Sequence, residues 1–356
     1  MLEGCDEPLW SRYDLAMLDL DGVVYVGAAA VPGAPEHLDR AARHGMHLAY
    51  VTNNASRPPS VVAKHLRELG IPAEDGDVVN SAQAAARLVA DTVPAGSQVF
   101  VIGGRGLFEA LEELDLVPVQ TLTDEVRAVV SGFHPDLMWR TVIDGAILVR
   151  RGLPWVASNL DLSVPTVHGL GPGNGVLVGA VAGFAGREPV VAGKPMSPLF
   201  EETRRRVGGQ APLVVGDRLD TDIEGARQSG LDSLLVMTGV TGLVELVTAP
   251  TGARPTYIGA DLSALGSAQP VPAGTPERGF ELGGWRAAVR SGRLLVDGDG
   301  DLGDWWRVVA TAAWSHLDTT GRPVDTCGQR PPGSVVPDAP GSDDQPERHR
   351  REDHRE

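Results

Sequence analysis

Two carboxylates one residue apart, Asp19 and Asp21, follow the apolar run Leu15 to Leu18 in the segment Asp19-Leu20-Asp21-Gly22. Residues i and i+2 of an extended chain project to the same side, so both acids can reach one phosphoryl group. One can attack as a nucleophile while the other handles the proton of the leaving oxygen. By itself such a segment reads equally as a surface turn or a helix N-cap. Three further segments change that balance. Val51-Thr52-Asn53-Asn54 empties an apolar run into hydroxyl and amide groups able to donate to a phosphate oxygen, or forms an Asn-rich turn. Lys194, in Gly193-Lys194-Pro195, follows Val190–Val191 and can neutralise phosphate and carboxylate charge, or sit solvated in a turn. Gly216-Asp217-Arg218-Leu219-Asp220-Thr221-Asp222 clusters hard oxygen ligands of the kind Mg²⁺ prefers, although Asp220 or Thr221 also suits a cap on the helix running to Ser229. Four strand ends, each bearing a group that phosphoryl transfer requires, point to one site.

The elements that must position these groups alternate. Leu15 to Leu18 reads as strand, Pro35 to His44 as helix, His47 to Val51 as strand and Pro58 to Leu69 as helix stopped by Gly70. Such alternation predicts an α/β fold with a parallel sheet whose carboxyl ends hold the ligand. A second set of short strands (Val99 to Ile102, Ala128 to Ser131, Trp155 to Ser158) alternates with helical stretches around Leu107 to Leu114 and Leu137 to Arg150. We read it as an inserted domain. The predicted organisation is a core over 1–80, an insert over 81–185 and the core again over 186–264, with Val190–Val191 as one of its strands. A Pro- and Gly-rich linker is expected over 265–279. A small module with Trp285, Trp305, Trp306 and Trp314 occupies 280–321, and a disordered tail is expected over 322–356.

Composition narrows the partners. The 356 residues carry a formal charge of -16, which opposes binding to nucleic acid or anionic lipid and leaves a small soluble ligand as the default. Only Cys5 and Cys327 are present, so no disulfide framework is expected. The polar, acidic N-terminus does not read as a signal peptide, and no window approaches a membrane span. A soluble, cytoplasmic protein is expected.

The segments DLDGVVYVG, VTNNAS, AGKP and VGDRLDTDI, in this order, resemble the haloacid dehalogenase superfamily of phosphatases, in the branch of 4-nitrophenyl phosphatases and NagD-like enzymes. The resemblance spans about Tyr13 to Leu262. It implies a Rossmann-like core with an inserted α/β cap, and a magnesium-dependent phosphomonoester hydrolase. Carried over residue by residue, Asp19 is the nucleophile and Asp21 the general acid, later the general base. Thr52, the backbone at Asn53 and the Asn54 side chain hold the phosphoryl group, with Gly22 beside them, and Lys194 stabilises its charge. The Mg²⁺ ligands are the Asp19 and Asp217 side chains and the Asp21 carbonyl, with Asp222 in or next to the shell. Relatives lacking the second acid are dehalogenases or cation pumps, so Asp21 implies rapid dephosphorylation. Relatives are often homodimers built through their caps.

Substrate choice is expected in the cap, around Phe133 to Trp139, Ser158 to Pro165 and Gly171 to Gly175. Val164 stands where the pyridoxal phosphatases of this branch carry His, which argues for a small non-aromatic ester. The layout, tryptophan-bearing extension included, looks most like actinobacterial glycerol 3-phosphate phosphatases and implies that substrate. The alternatives are a broad phosphatase acting on nucleoside monophosphates, phosphoglycolate or 4-nitrophenyl phosphate, and a binding protein that keeps the fold without turnover. The resemblance also suggests a partial acetyltransferase-like fold for the C-terminal module, but no glycine-rich pyrophosphate loop accompanies it. Asp297, Asp299 and Asp301 start like a calcium loop, yet Leu302 and Val308 occupy the positions of the required Gly and Glu, so a polar hairpin turn is expected. Gly103-Gly104-Arg105-Gly106 lacks dinucleotide-fingerprint spacing.

Overall fold

Leu15–Leu18 is fully buried because both of its faces are covered: Ala16 and Leu18 join one apolar cluster, Leu15 and Met17 another. A strand packed on both sides carries a continuous apolar run, not an alternating one. It lies inside a six-stranded parallel sheet in the order Tyr257–Gly259, Asp232–Val236, Pro212–Gly216, Leu15–Leu18, His47–Thr52 and Val78–Asn80. The computed structural model describes residues 2–166 and 168–333. Helices Ala34–Arg43, Pro59–Glu68 and Pro198–Val207 are among those that cover this sheet.

The chain leaves the sheet at Asn80, whose side chain accepts from the Gln83 amide at 3.0 Å while Gln83 accepts from the Asn80 amide at 3.0 Å. This reciprocal cap starts the alanine-rich helix Ser81–Ala90, which shares one apolar cluster with strands of both large sheets. The second sheet has five parallel strands in the order Val190–Val191, Trp155–Ala157, Val126–Ser131, Gln98–Ile102 and Val117–Val119. Val190–Val191 therefore belongs to this sheet and not to the first, against the sequence expectation. A two-residue apolar strand has too little pattern to show which sheet it joins. The first sheet resumes only after the Lys194 loop, with helix Pro198–Val207 and strand Pro212–Gly216.

The C-terminal segment forms an antiparallel sheet, Ala273–Thr275, Gly279–Leu282, Trp285–Arg290 and Arg293–Gly298, packed on helix Leu302–Thr320. Part of the expected linker is thus a strand, and Gln269 is buried, pairing its backbone with Cys5. Asp297 to Asp301 is no hairpin turn: it joins a strand to a helix, and Asp301 caps that helix by accepting from the Asp304 amide. The expected tail begins with ordered contacts, since Val324 is buried and Asp325 bridges to Arg293; its residues beyond 333 lie outside the described ones.

Trp305, Trp306 and Trp314 form one cluster with Ile223, Leu235, Leu246 and Ile258 of the first domain. Trp314 Nε1 donates to the Leu246 carbonyl at 2.7 Å, and the buried Arg307 donates to the Ile258 carbonyl at 3.0 Å. The module is welded to the flank of the sheet that ends in Tyr257–Gly259. Among the described residues, no helix is long and apolar enough to cross a membrane.

Candidate active site

The carboxyl ends of three adjacent strands, Leu15–Leu18, His47–Thr52 and Pro212–Gly216, open onto one cleft. The Lys194 ammonium lies at its base, 4% exposed. It donates to Asp19 Oδ1, to Asp222 Oδ1 at 2.7 Å and to the Val51 carbonyl at 3.2 Å, so all three of its protons have acceptors. Burial alone would drive the proton off; the Asp19 and Asp222 carboxylates outweigh it and hold the group protonated, its pKa raised. Burial also lifts the Asp19 carboxyl, and the Lys194 charge opposes that rise.

Asp19, Asp217 and Asp222 each offer an oxygen within 4.8 Å of the others. Asp217 is fully buried; its Oδ2 accepts from the Val240 amide at 2.6 Å, and its Oδ1 is buried without a partner among the described residues. An orphaned carboxylate oxygen beside two more carboxylates is the donor set a hard divalent cation takes. Asp222 has both oxygens engaged, one by Lys194 and the other by the Arg218 amide at 3.1 Å. Burial pushes the Asp217 carboxyl up to about 6, with the Asp222 charge adding and the Val240 amide opposing.

Asp21 lies at the mouth, exposed to solvent yet walled closely enough that burial raises its carboxyl above the ordinary range against the pull of Arg57. That is the direction a proton donor needs. Thr52 is buried, and its hydroxyl oxygen accepts from the Asn54 amide at 3.1 Å, which leaves its proton free to donate. Asn53 ties the site together. Its amide donates to the Lys194 carbonyl at 3.1 Å and to Asp161 at 3.2 Å, and its Oδ1 accepts from the Lys194 amide at 2.8 Å. Its own carbonyl accepts from Ser81 and from Asn159, each at 2.6 Å.

Asp19, Asp21, Thr52, Lys194, Asp217 and Asp222 thus line one cleft. Two expected binders also have partners within the protein. Asn54 Oδ1 accepts from the Ser56 amide at 2.9 Å and hydroxyl at 2.7 Å, closing its own loop. Gly22 donates to Tyr25 and accepts from Thr238, so it gives the site room and not a ligand: its φ is +86°, and a Cβ there would lie 2.5 Å from Asp217 Oδ2. Thr238 to Val240 brace Gly22 and Asp217, a role their residue types do not announce. The only signal is a Gly-rich turn after the apolar strand Asp232–Val236.

A parallel α/β sheet whose strand ends gather an aspartate pair, a buried lysine and a carboxylate metal nest defines a metal-assisted hydrolase of phosphate monoesters. Comparison with known proteins places it further. Residues 16–117 match the family profile of haloacid dehalogenase-like hydrolases, and residues 191–265 a HAD-hydrolase-like profile. The chain is 40% identical over 312 residues to a D-glycerol 3-phosphate phosphatase of Mycobacterium tuberculosis, covering 85% of this chain and 86% of that one. It is 34% identical to an acid sugar phosphatase of Staphylococcus aureus, covering 71% and 96%. The crystal structure of a glycerol phosphate phosphatase from Mycobacterium tuberculosis with magnesium superposes with a TM-score of 0.79 at 39% identity, covering 89% of this chain and 94% of that one. The chain belongs to the haloacid dehalogenase-like hydrolases.

One consequence concerns proton linkage. The Asp217 carboxyl sits at about 6 in the folded chain, against about 3.9 when unfolded. The metal-free protein therefore loses stability as pH rises from about 4 through about 6. A bound cation must displace the same proton. Mg²⁺ affinity should fall as pH drops below about 6, with proton release visible as a buffer-dependent binding enthalpy. Calorimetry at pH 5, 6 and 7.5 checks this; equal affinity at all three would show that Asp217 is not a ligand.

Proposed function

We propose that the chain hydrolyses glycerol 3-phosphate to glycerol and inorganic phosphate through a phosphoaspartate on Asp19. The observation that carries the chemistry is Lys194, buried between Asp19 and Asp222 with Thr52 and Asp21 at the same cleft. An Asp19 oxygen bonds to phosphorus as the bond from phosphorus to the glycerol oxygen breaks, and Asp21 gives that oxygen its proton. Asp21, now ionised, takes a proton from water; the water oxygen bonds to phosphorus, the Asp19 ester breaks, and phosphate leaves. Thr52 donates to a phosphoryl oxygen, and Lys194 offsets the charge. Mg²⁺ would be held by Asp19, Asp217 and the Asp21 carbonyl and would supply further positive charge at the phosphoryl group. We expect Asp19→Asn to abolish both turnover and phosphoenzyme, and Asp21→Asn to lower kcat by about 10²- to 10⁴-fold. Rapid-quench labelling separates these outcomes, and a D19N enzyme at full rate would unseat the nucleophile.

The substrate reading draws on the relative that is 40% identical across most of both chains and named for D-glycerol 3-phosphate. Val164 in the cap hairpin, where a vitamin phosphatase would carry His, agrees with a small aliphatic alcohol. The competing reading is a broad phosphatase, favoured by the similarity to an acid sugar phosphatase. With Mg²⁺, kcat/KM for glycerol 3-phosphate should exceed that for AMP, phosphoglycolate and 4-nitrophenyl phosphate by at least about tenfold. A preference for the nucleotide would overturn the assignment.

The domain division that supports this reading is a core over 1–80 and from about 192 to 264, with the insert between. We further infer a homodimer formed through that insert. Helix Asn174–Ala185 carries no charged residue, and Val176, Gly179, Ala180, Gly183 and Phe184 make one exposed stripe along it. Small residues at three- and four-residue spacing let a symmetry mate approach closely. Sedimentation equilibrium should give twice the chain mass, and Ala180→Glu should give the monomer; a monomeric wild type would dismiss this interface. Cys5 and Cys327 are both free thiols, in keeping with a reducing cytoplasm.

A further inference from the structure

After strand Trp155–Ala157 the inserted domain turns at Asn159, whose Oδ1 accepts from the Asp161 amide at 3.2 Å. That short turn aims two side chains back at one residue of the catalytic domain. Asn159 Nδ2 donates to the Asn53 carbonyl at 2.6 Å, and Asp161 Oδ1 accepts from Asn53 Nδ2 at 3.2 Å. The same Nδ2 donates to the Lys194 carbonyl at 3.1 Å, while Asn53 Oδ1 accepts from the Lys194 amide at 2.8 Å. The Asn53 side chain is thus a bridge, with Asp161 on one side and the backbone of the buried lysine on the other.

The orientation of that bridge matters. Turned over, the Asn53 amide would set its NH₂ against the Lys194 N–H and its oxygen against the Lys194 carbonyl and the Asp161 carboxylate. An ionised carboxylate only accepts, so Asp161 admits the orientation that serves both backbone groups of Lys194 and no other. Being charged, it also makes the stronger kind of hydrogen bond. Among the described residues Asp161 makes its side-chain hydrogen bond to Asn53 alone. Burial lifts its carboxyl, and the Asn53 bond, followed by the Lys194 and Arg218 charges, opposes the rise.

The turn itself is locked in place. The Gly173 amide donates to the Leu162 carbonyl and the Gly175 amide to the Asp161 carbonyl, each at 2.9 Å. The buried Asn174 donates its Nδ2 to the Asn159 carbonyl at 2.7 Å. A Cβ on Gly173 would lie 2.2 Å from the Asp161 carbonyl oxygen, so the start of helix Asn174–Ala185 presses bare backbone against the turn. Asp161 is held to a fixed place from its own domain.

We propose that Asp161 is a positioning residue for Lys194. By orienting the Asn53 amide it fixes the backbone from which the ammonium reaches Asp19 and Asp222. It acts through Asn53 and touches neither phosphorus nor the alcohol. Its effect on rate rests on the hydrolytic reading of this cleft, whereas its hold on the lysine loop stands on hydrogen-bond geometry.

Steady-state kinetics of the magnesium-loaded full chain, with glycerol 3-phosphate and with 4-nitrophenyl phosphate, test the first effect. Asp161→Ala should lower kcat about ten- to a hundredfold, by the same factor on both esters and with KM little changed. Asp161→Asn, which keeps an acceptor oxygen, should recover most of that loss. In an Asn53→Ala background Asp161→Ala should cost nothing further, because the residue it acts through is gone. Hydrogen exchange tests the second effect: the Lys194 amide should exchange at least about tenfold faster in Asp161→Ala, with no matching change across helix Ser81–Ala90. Asp161→Leu, also without an acceptor, takes the place of the alanine variant if that chain does not fold. A loss confined to one ester or to KM would put Asp161 on the substrate and overturn the proposal, and so would losses that add to those of Asn53→Ala. A wild type that turns over neither ester would sink the hydrolytic reading by itself. The exchange measurement would still decide, since equal rates at Lys194 in the wild type and Asp161→Ala would end the positioning role.

Discussion

Three carboxylates cannot share a dry cleft without a cation among them, and the position of Lys194 answers that constraint. Its ammonium satisfies one oxygen of Asp19 and one of Asp222 while remaining buried, so the like charges are tolerable before any metal arrives. The lysine is in turn fixed through its backbone, by both ends of the Asn53 amide. Asn53 is fixed by Ser81 and by Asn159 of the inserted domain. The electrostatics of the centre thus rest on a hydrogen-bonded chain that begins at the end of one strand and crosses into another domain.

Much of this was legible in the sequence because chemistry and topology reinforce each other. A parallel sheet delivers strand ends to one edge, so polar clusters after apolar runs had to meet, and Asp19, Thr52 and Asp217 do. The parts that were not legible share a physical cause. Val190–Val191 is too short for a face pattern, and which sheet it joins is decided by long-range pairing with Trp155–Ala157. Thr238 to Val240 act through a backbone amide and through close approach, which residue types hardly advertise. Asn54 spends only its acceptor oxygen on its own loop. The segment 265–279 resembles a linker in composition, yet its backbone is used as a strand and as a bridge to Cys5.

The tryptophan-bearing module shows the same dependence on context. Its aromatics do not form an isolated core: they close over Ile223, Leu235 and Ile258 and so complete one flank of the catalytic domain. Ile223 directly follows Asp222, which places this packing one residue from the metal nest.

Gly239 lies against Gly22 at the same carboxylate. A Cβ at Gly239 would fall 1.9 Å from Asp217 Oδ2, so the two glycines hold the carboxylate between bare backbone on either side. No side chain of any kind can be tried at either position without displacing the Asp217 carboxylate. The inserted domain reaches the same cleft through side chains instead, Asp161 and Asn159, both on Asn53. The Asp217 carboxylate is thus placed by two residues with no chemistry of their own, and a side chain at either would move it.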